Sequence, residues 1–389
     1  MMRILMASIV DPAFQWGGAW TATRGVLSLL REPPFNAEVV SITAADPPSP
    51  SRQARRYLAL ARSLVSGLPA KFQFQYSRKV LESATSRLRD EVFDLILLNG
   101  SDLLWMLPHL PQSPPRIVIA HNIEHHLYAD QIRLLYPQPG FQRAVLLKDH
   151  SRLLGQELAG LCAVGNVIFL SAEDEAYARQ ACPQLTTISI PPLVPAAGTP
   201  RARNLGDASE IDIGMLANFE WWPSLEGARW FLREVLPNLR PGIRVHFFGK
   251  RSESLPTDDA RAVKHGYTAD LGLVWSTCHF MICPVFAGGG VSVKLVDPVC
   301  RGVPVLATHY SVRGLPIKPD DAIVLRDTAV EWIEFLNSGA ARRLGTLSPS
   351  PEVMGQFHPS SHVERFACFL QTVLPGAAGP HVRAGCREA

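Results

Sequence analysis

Residues 279–308 read HFMICPVFAGGGVSVKLVDPVCRGVPVLAT, and this stretch decides the fold. It opens with an apolar run, His279–Val285, passes through three glycines and a helical segment from about Val291, and ends in a second apolar run, Val303–Thr308. Strand, turn, helix and strand in this order are typical of a parallel α/β sheet. Glycines allow a ligand close to the backbone, and the amides that begin the next helix can face an anion. The stretch therefore predicts an anion-binding turn.

Two charged side chains follow this turn on one face of the predicted helix. Lys294 lies one turn into the helix, where its ammonium could meet a diphosphate, and Asp297, three residues on, could accept both hydroxyls of a ribose. An ordinary surface Lys–Asp pair explains the same spacing. The pattern is neither the G-x-G-x-x-G fingerprint nor a Walker loop. Pro298 predicts that the helix is short or distorted.

The same alternation of apolar strands and helices continues on both sides of this stretch. It predicts an α/β protein with two Rossmann-like, doubly wound domains that face each other across a cleft. The predicted divisions are an N-terminal domain 1–195, a linker 196–208, a C-terminal domain 209–355, a helix 356–375 that packs back on the N-terminal domain, and a flexible tail 376–389.

Composition excludes several classes of protein. Of the 389 residues, 47% are hydrophobic and 19% charged, which is globular, and the net charge of +3 gives no case for nucleic-acid binding. Seven scattered cysteines, an odd number, argue for a reducing compartment and against a disulfide framework. The apolar start, Met1–Val10, lacks the length and cleavage site of a signal peptide, and no apolar run reaches the length of a membrane span. We therefore expect a cytoplasmic protein.

A second polar segment, HNIEHHLY at residues 121–128, directly follows the predicted strand Arg116–Ala120. Polar groups at the carboxyl end of a parallel strand lie where ligands bind. His121 could hydrogen-bond a reacting group, and Glu124 could position His121 or accept a proton. His121 and His125 also have the spacing of a zinc helix, although the sequence departs from H-E-x-x-H. A solvated histidine cluster at a helix start is the remaining interpretation.

These segments resemble the family 4 glycosyltransferases of the GT-B fold. The stretch CPVFAGGGVSVKLVD at 283–297, followed by GVPVLAT at 302–308, is similar to the donor-site motif of that family. PSLEG at 223–227, GYT at 266–268 and HNIE at 121–124 fit its other motifs. The resemblance covers most of residues 208–340 and, more loosely, the N-terminal half.

The resemblance implies a nucleotide-sugar-dependent glycosyltransferase that acts with retention on a glycan, lipid-linked or small-molecule acceptor. It implies no metal and no permanently bound cofactor, since the nucleotide-diphosphate sugar is a substrate. His121 and Glu124 become the catalytic candidates. The donor-binding candidates are Gly17, Gly18, Lys250, Tyr267, Gly288, Gly289, Gly290, Val291, Lys294 and Asp297.

The chain also departs from the family pattern. Asp297 stands where a glutamate is usual, and Gly289 stands where many members have a glutamate that contacts the sugar. The phosphate-binding Arg–Lys pair of many members is missing after Gly214, where Lys250 could substitute. These departures leave open an epimerase, an inverting transferase or a non-catalytic nucleotide-binding homologue. A periplasmic type of binding protein conflicts with the missing signal peptide.

A basic stretch, Pro47–Leu81, contains no Asp or Glu and mixes arginines with Tyr57, Leu58 and Leu64. Such a helix, within residues 52–79, can bind an anionic membrane surface. This would place the protein at the inner face of the membrane, in polysaccharide biosynthesis with a lipid-linked acceptor. A partly buried helix with a solvated basic face is the simpler interpretation.

Overall fold

The computed structural model describes residues 2–8, 18–33, 35–43, 52–194, 210–318 and 320–374. They form two compact units. The first comprises the residues up to Leu193, Gly288–Gly290 and the segment from His362, and the second comprises Val194–Ala287 and Val291–Ser361. The predicted linker 196–208, the predicted tail 376–389 and Gly17 lie outside the described residues.

The first unit contains a parallel sheet of six strands in the order β2-β1-β3-β4-β5-β6. The strands are β1 (Arg3–Ser8), β2 (Glu38–Thr43), β3 (Leu95–Asn99), β4 (Arg116–Ala120), β5 (Asn166–Phe169) and β6 (Thr186–Ser189). Its helices are α1 (Gly18–Arg31), α2 (Arg52–Ser66), α3 (Ala70–Gln75), α4 (Arg78–Asp90), α5 (Glu124–Leu135), α6 (Phe141–Val164) and α7 (Ala172–Ala181), with a 3-10 segment at Ser101–His109.

The second unit repeats this architecture, with a parallel sheet in the order β12-β11-β10-β7-β8-β9. The strands are β7 (Ile211–Leu216), β8 (Ile243–Phe248), β9 (Ala262–Gly266), β10 (Phe280–Cys283), β11 (Val305–Ala307) and β12 (Ile323–Leu325). The helices are α8 (Trp222–Trp230), α9 (Leu271–Thr277), α10 (Val293–Cys300), α11 (Ala329–Asn337), α12 (Gly339–Leu344) and α13 (Pro351–Gly355). The last helix, α14 (Val363–Val373), belongs to the first unit, where the ring of Phe366 packs against Phe35.

Apolar strands form the centre of each unit because helices cover both faces of each sheet. Every residue of β3 and of β10 is buried. In the first unit Ile96, Leu98 and Phe169 lie in one core, and in the second Val245 and Trp332 do so. Strands buried on both faces read as continuous apolar runs, and this is why the sequence revealed them. The prediction of two doubly wound α/β domains is confirmed.

Two buried carboxylates on the long helix α6 hold the starts of two shorter helices. Asp149 accepts the backbone N–H of Ala70 at 3.0 Å, where α3 begins. Glu157, fully buried, accepts the N–H groups of Glu124 and His125 at 2.8 and 2.9 Å, where α5 begins. Neither helix has a side-chain cap at its own N-cap residue. The two carboxylates therefore supply the acceptors and the negative charge that helix N-termini require.

The structure contains local features that the sequence did not predict. Helix α8 begins at Trp222, and the Ser224 side chain is buried inside its first turn. Strands β9 and β12 were not predicted, because β9 (AVKHG) is only partly buried and β12 (IVL) is three residues long. The predicted shortening at Pro298 is confirmed, since α10 ends two residues later, at Cys300.

The cysteines also differ from expectation. A disulfide joins Cys162 on α6 to Cys182, which directly follows α7. The two residues are 20 positions apart and lack any C-x-x-C signature, so only the packing of α6 and α7 against the same sheet reveals the pair. Cys278, Cys283 and Cys300 are free thiols.

Candidate functional site

In the first unit, the carboxyl ends of three neighbouring strands carry one polar network. Ser8 ends β1, Asn99 ends β3 and His121 directly follows β4. Asn99 Nδ2 donates to the hydroxyls of Ser8 and Thr23, both at 2.8 Å, and Asn99 Oδ1 lies 2.8 Å from His121 Nε2. Ser8, Thr23 and Asn99 are buried. The network fixes the His121 ring at the edge where parallel α/β sheets bind their ligands.

The hydrogen bond to Asn99 determines which ring nitrogen of His121 is free. Because Asn99 Oδ1 is the acceptor, His121 Nε2 carries the proton, and Nδ1 keeps its lone pair. Burial lowers the pKa of His121 to about 4, although the charge of Glu124 opposes the shift. His121 is therefore neutral at neutral pH and presents Nδ1 as a hydrogen-bond acceptor.

Glu124 does not hold His121. It is buried at the start of α5, where its carboxylate forms an ion pair with the ammonium of Lys71 from α3. Asn122 Nδ2 donates to the other Glu124 oxygen at 3.2 Å. The interpretation in which Glu124 positions His121 is therefore wrong, because Asn99 does so.

Asp102 is a second carboxylate in the same electrostatic environment. It lies in the 3-10 segment after β3, and Gln75 Nε2 donates to it at 3.1 Å. Burial, and then the negative charge of Glu124, raise the pKa of Asp102 to about 7, although Lys71 opposes the shift. For Lys71 itself, burial favours a lower pKa, but the charges of Glu124 and Asp102 outweigh burial and raise it. Two carboxylates thus share one lysine.

The neighbouring histidine has a structural role. His125 is buried, its Nδ1 lies 2.7 Å from Glu157 Oε2, and its Nε2 lies 2.8 Å from the Tyr177 hydroxyl. Both ring nitrogens are therefore engaged within the core. Among the described residues, no group of histidine, cysteine, aspartate and glutamate has the arrangement of a metal site.

In the second unit, Lys294 occupies the first turn of α10 directly after the glycine-rich turn. Its side chain is partly buried, and burial lowers its pKa, with only Cys283 acting in the opposite sense. No carboxylate among the described residues forms an ion pair with Lys294. Ser292, at the N-cap, makes no capping hydrogen bond and instead lies 3.3 Å from Cys283 Sγ. A partly buried cation thus stands beside a helix N-terminus that no side chain caps, and both attract an anion.

Asp297 is already bound to a cation. Its Oδ1 accepts from Arg301 Nε at 2.9 Å, one turn further along α10, and the Arg301 guanidinium lies 5.6 Å from the Trp275 ring. Burial raises the pKa of Asp297, although Arg301 opposes the shift. The carboxylate therefore has a fixed orientation, set by a partner at the i, i+4 spacing of a helix.

Two further donor-binding candidates of the second unit, Lys250 and Tyr267, lie near the carboxyl ends of β7, β8 and β9. Gly249 has a φ of 115°, and a Cβ there would overlap the carbonyl oxygen of Ala217. Lys250 follows it and forms an exposed ion pair with Glu220 at 3.2 Å. Tyr267 follows β9 and is 58% exposed. The two side chains lie beyond neighbouring strands, of which only β8 was predicted, and Lys250 is not a free cation.

The glycine turn needs its glycines for two reasons. Gly288 and Gly290 have φ values of 129° and 66°, which favour glycine. Within the first unit, a Cβ at Gly289 would lie 2.8 Å from Leu127 Cβ, and a Cβ at Gly290 would overlap the Asn122 side chain. The residue that follows, Val291, belongs to the second unit, and Gly18 is the first residue of α1.

Comparison with solved structures identifies the architecture. The HepE protein of Anabaena in complex with UDP-glucose superposes with a TM-score of 0.60 and 13% identity over 96% of this chain and 100% of that one. Sucrose-phosphate synthase of Thermosynechococcus elongatus gives 0.58 and 17%, over 94% and 100%. WaaG, a glycosyltransferase involved in lipopolysaccharide biosynthesis, gives 0.56 and 11%, over 97% and 100%. The chain has the GT-B fold. No protein-family model and no curated protein sequence matches it.

Three residues of this GT-B chain that shape the candidate site were not found by sequence reasoning. Asn99 and Asp102 lie within NGSD at 99–102, which directly follows a predicted strand, so their position was a usable signal. Lys71 lies 53 positions before Glu124 in an unpredicted helix, and nothing in the local pattern connects the two. No described helix has the length and apolar character needed to cross a bilayer.

Proposed function

We propose that this chain is a glycosyltransferase that takes a sugar from a nucleotide-diphosphate donor, and that its second unit binds the diphosphate. The observation that carries the proposal is Lys294, a partly buried lysine without an ion-pair partner among the described residues, in the first turn of an uncapped helix. Burial of an unpaired charge costs free energy unless a partner compensates it. A diphosphate supplies that partner. The UDP-glucose complex of HepE, which shares the fold, supports the same class of ligand.

The chemistry of this site is electrostatic. Transfer of the sugar leaves a diphosphate whose negative charge develops as the glycosidic bond breaks. The ammonium of Lys294, in the first turn of the uncapped helix α10, stabilises that charge without reorganisation, because the fold already orients it. We propose no metal ion and no nucleophile of the protein in this step.

For the acceptor we propose a hydroxyl group, of a glycan, a lipid-linked saccharide or a small molecule, bound in the first unit by His121. The neutral ring offers Nδ1 as the acceptor for the proton of the hydroxyl. Glu124 contributes indirectly, since it is held by Lys71 and binds Asn122, which follows His121 in the chain. We further propose a retaining reaction of the family 4 type.

A non-catalytic homologue that binds a nucleotide is the second candidate. It is favoured by Asp297, whose ion pair with Arg301 must open or rotate before both carboxylate oxygens reach a ribose. An epimerase or an inverting transferase would share the donor site, and analysis of the product anomer separates these from a retaining transferase.

The test uses a panel of nucleotides, UDP, GDP, TDP and ADP, with and without magnesium. Binding of each is detected by the thermal unfolding temperature of the full chain. A ligand that binds only the folded state raises its stability with the logarithm of concentration over Kd. We expect one nucleotide to stabilise the protein independently of magnesium, and we expect Lys294→Met to remove the effect. The matched control is Lys318→Met, because Lys318 is an exposed lysine of the same unit paired with Glu352.

The outcomes separate the candidates. Binding by wild type and by Lys318→Met, but not by Lys294→Met, supports the donor site. Equal binding by all three proteins, or no binding of any nucleotide, contradicts it. Binding without turnover of the corresponding nucleotide sugar, tested over a panel of sugar acceptors, favours the non-catalytic homologue.

We also propose that α2 associates with an anionic membrane surface. Its exposed side chains include Arg56 and Arg62, together with Tyr57, Leu58 and Val65, of which the last three are 57%, 48% and 91% exposed. Burial of such apolar side chains in the headgroup region, together with attraction of the arginines to anionic lipid, is how interfacial helices bind.

Sedimentation with vesicles tests this second proposal. We expect binding to vesicles of mixed phosphatidylcholine and phosphatidylglycerol that decreases with salt, and no binding to phosphatidylcholine alone. Val65→Glu should reduce the bound fraction, whereas Val330→Glu, at a valine of the second unit that is 63% exposed, should not. Equal binding by both variants would overturn the assignment of α2.

A further inference from the structure

One face of the second sheet carries a continuous chain of hydrogen-bonded side chains that the proposed reaction does not use. Arg244 on β8 donates to both oxygens of Asp212 on β7, at 2.8 and 3.3 Å. His246 Nε2 lies 2.9 Å from Asp212 Oδ1, and His246 Nδ1 lies 2.9 Å from Nε2 of His265 on β9. His246 is buried, whereas His265 is exposed. The chain thus links the interior of the sheet to its surface.

His265 occupies a bulge between β8 and β9. Phe247 pairs with Lys264, but the next residue, Phe248, pairs with Gly266, so His265 is the extra residue of the ladder. Its ring stacks on Phe248, with centroids 4.2 Å apart and planes 9° apart. Bulges re-aim a side chain and often lie beside functional sites. Here the bulge turns His265 toward His246 just before β9 ends.

The hydrogen bond between the two rings depends on the number of protons they carry. Asp212 accepts from His246 Nε2–H, so in the neutral pair His265 Nε2–H donates to the lone pair of His246 Nδ1. A first added proton leaves one hydrogen between the rings. A second places two N–H groups and two positive charges against each other, and the bond is lost. Burial, and then the charge of His246, lower the pKa of His265.

This pair adjoins the turn that begins at Gly266. The carbonyl oxygen of Gly266 accepts the N–H of Gly249 at 2.7 Å, and its own N–H donates to Ser252 Oγ at 2.9 Å. Tyr267, next in the chain, is mostly exposed. We propose that His246 and His265 act as a proton-dependent clamp on the Gly266–Tyr267 turn, so that the affinity of this turn for a nucleotide base falls at acid pH. That Tyr267 belongs to the donor site rests on the proposed function; the clamp itself does not.

Charged and titratable groups on neighbouring elements surround the clamp. Asp212 is held by Arg244, which also pairs with Glu210 at 3.0 Å. Hydrogen bonds and charges from Arg244 and His246 outweigh burial and lower the pKa of Asp212. On neighbouring elements, His279 Nδ1 contacts the Asp212 backbone, and Lys264 donates to the carbonyl of Leu255. Glu253 lies beside Gly266. Asp270 caps α9, and α9 itself contains no charged residue.

The experiment follows the Tyr267 amide in the full chain, labelled with ¹⁵N-tyrosine and without nucleotide. Tyr267→Phe assigns its resonance, and pH is lowered from about 8 to about 5, through the range in which histidines titrate. We expect the chemical shift of the Tyr267 amide to change with pH, with the same midpoint as the titration of the His265 ring. His265→Gln should abolish this transition. His246→Gln keeps an acceptor for His265 Nε2–H without a second titrating ring, and should move the midpoint to higher pH.

His309→Gln is the matched control, because His309 is an exposed histidine of the same unit paired with Asp327 at 2.8 Å. It should leave the Tyr267 transition unchanged. A transition that persists in His265→Gln, or none in the wild type, overturns the clamp.

Affinity for the nucleotide selected by the panel is measured at the two ends of the pH range. We expect about fivefold weaker binding at the acid end, a typical coupling between sites, and a smaller difference in His265→Gln. An affinity equal at both ends, with the amide transition present, overturns the effect on binding. If no nucleotide binds, the proposed function fails, and the Tyr267 transition alone decides whether the clamp exists.

Discussion

Lys71 and Lys294 are partly buried lysines in the two units, and their surroundings shift their pKa values in opposite directions. Around Lys71, the charges of Glu124 and Asp102 outweigh burial and raise the pKa. Around Lys294, burial dominates and lowers the pKa, because no carboxylate among the described residues compensates it. Lys71 is balanced within the folded chain, and its role is to hold other residues in place. Lys294 has no such partner among the described residues, and under the proposed function a bound anion supplies the compensating charge.

Removal of Lys71 tests the structural side of this comparison and should have the largest effect. Lys71→Met leaves Glu124 buried without its cation, and we expect the free energy of unfolding of the first unit to fall by about 3 kcal/mol. Urea denaturation measures the change. Arg78→Met is the control, because Arg78 and Glu82 form an exposed pair in the same unit, and it should cause no measurable change. Equal stability of the two variants would show that the Lys71 pair is screened by solvent.

The binding side of the comparison predicts proton uptake at Lys294. Because its pKa is lowered in the free protein and a bound diphosphate favours the charged form, the nucleotide should bind with uptake of a proton at alkaline pH. Above the lowered pKa, affinity should fall by up to about tenfold for each pH unit, or about 1.4 kcal/mol. Calorimetry in two buffers of different ionisation enthalpy detects the proton. If the affinity for the nucleotide does not change up to about pH 10, the assignment of Lys294 is contradicted.

Asp102 extends the comparison of pKa shifts from the two lysines to a carboxylate. Its pKa in the folded chain, about 7, lies above the ordinary value of 3.8, so its contribution to stability is present at acid pH and is lost as pH rises through about 7. We expect the wild type to lose about 1 kcal/mol of stability between about pH 6 and about pH 8, and Asp102→Asn to lose less. Denaturation of both proteins at the two pH values measures this. A parallel loss in both would assign the pH dependence to another group.

Lys250 gives the smallest expected effect, because it is an exposed lysine whose carboxylate partner is also at the surface. Its side chain is 62% exposed and pairs with Glu220. Lys250→Ala should change stability by less than about 0.5 kcal/mol and nucleotide affinity by less than about threefold. Calorimetry measures the affinity. A loss as large as that of Lys294→Met would place Lys250 in the donor site beside Lys294.

The sequence predicted the elements that carry these residues better than the residues' partners. Buried strands such as β3 and β4 were found because continuous apolar runs mark them, and the short α10 was found because Pro298 interrupts it. Strand β9 was missed since its residues are only partly buried, and with it the bulge at His265.

The sequence alone determined the alternation of most strands and helices, the doubly wound α/β class of both units and the position of Lys294 after a glycine turn, because hydrophobic periodicity and glycine conformation are local properties. The GT-B type of fold was implied by the resemblance to a known family. The charge state of each candidate was decided by the tertiary structure. Asn99 selects the tautomer of His121, and Lys71 balances Glu124. Electrostatic interactions depend on distance in space and on burial, and the spacing of residues along the chain contains neither for groups on different elements.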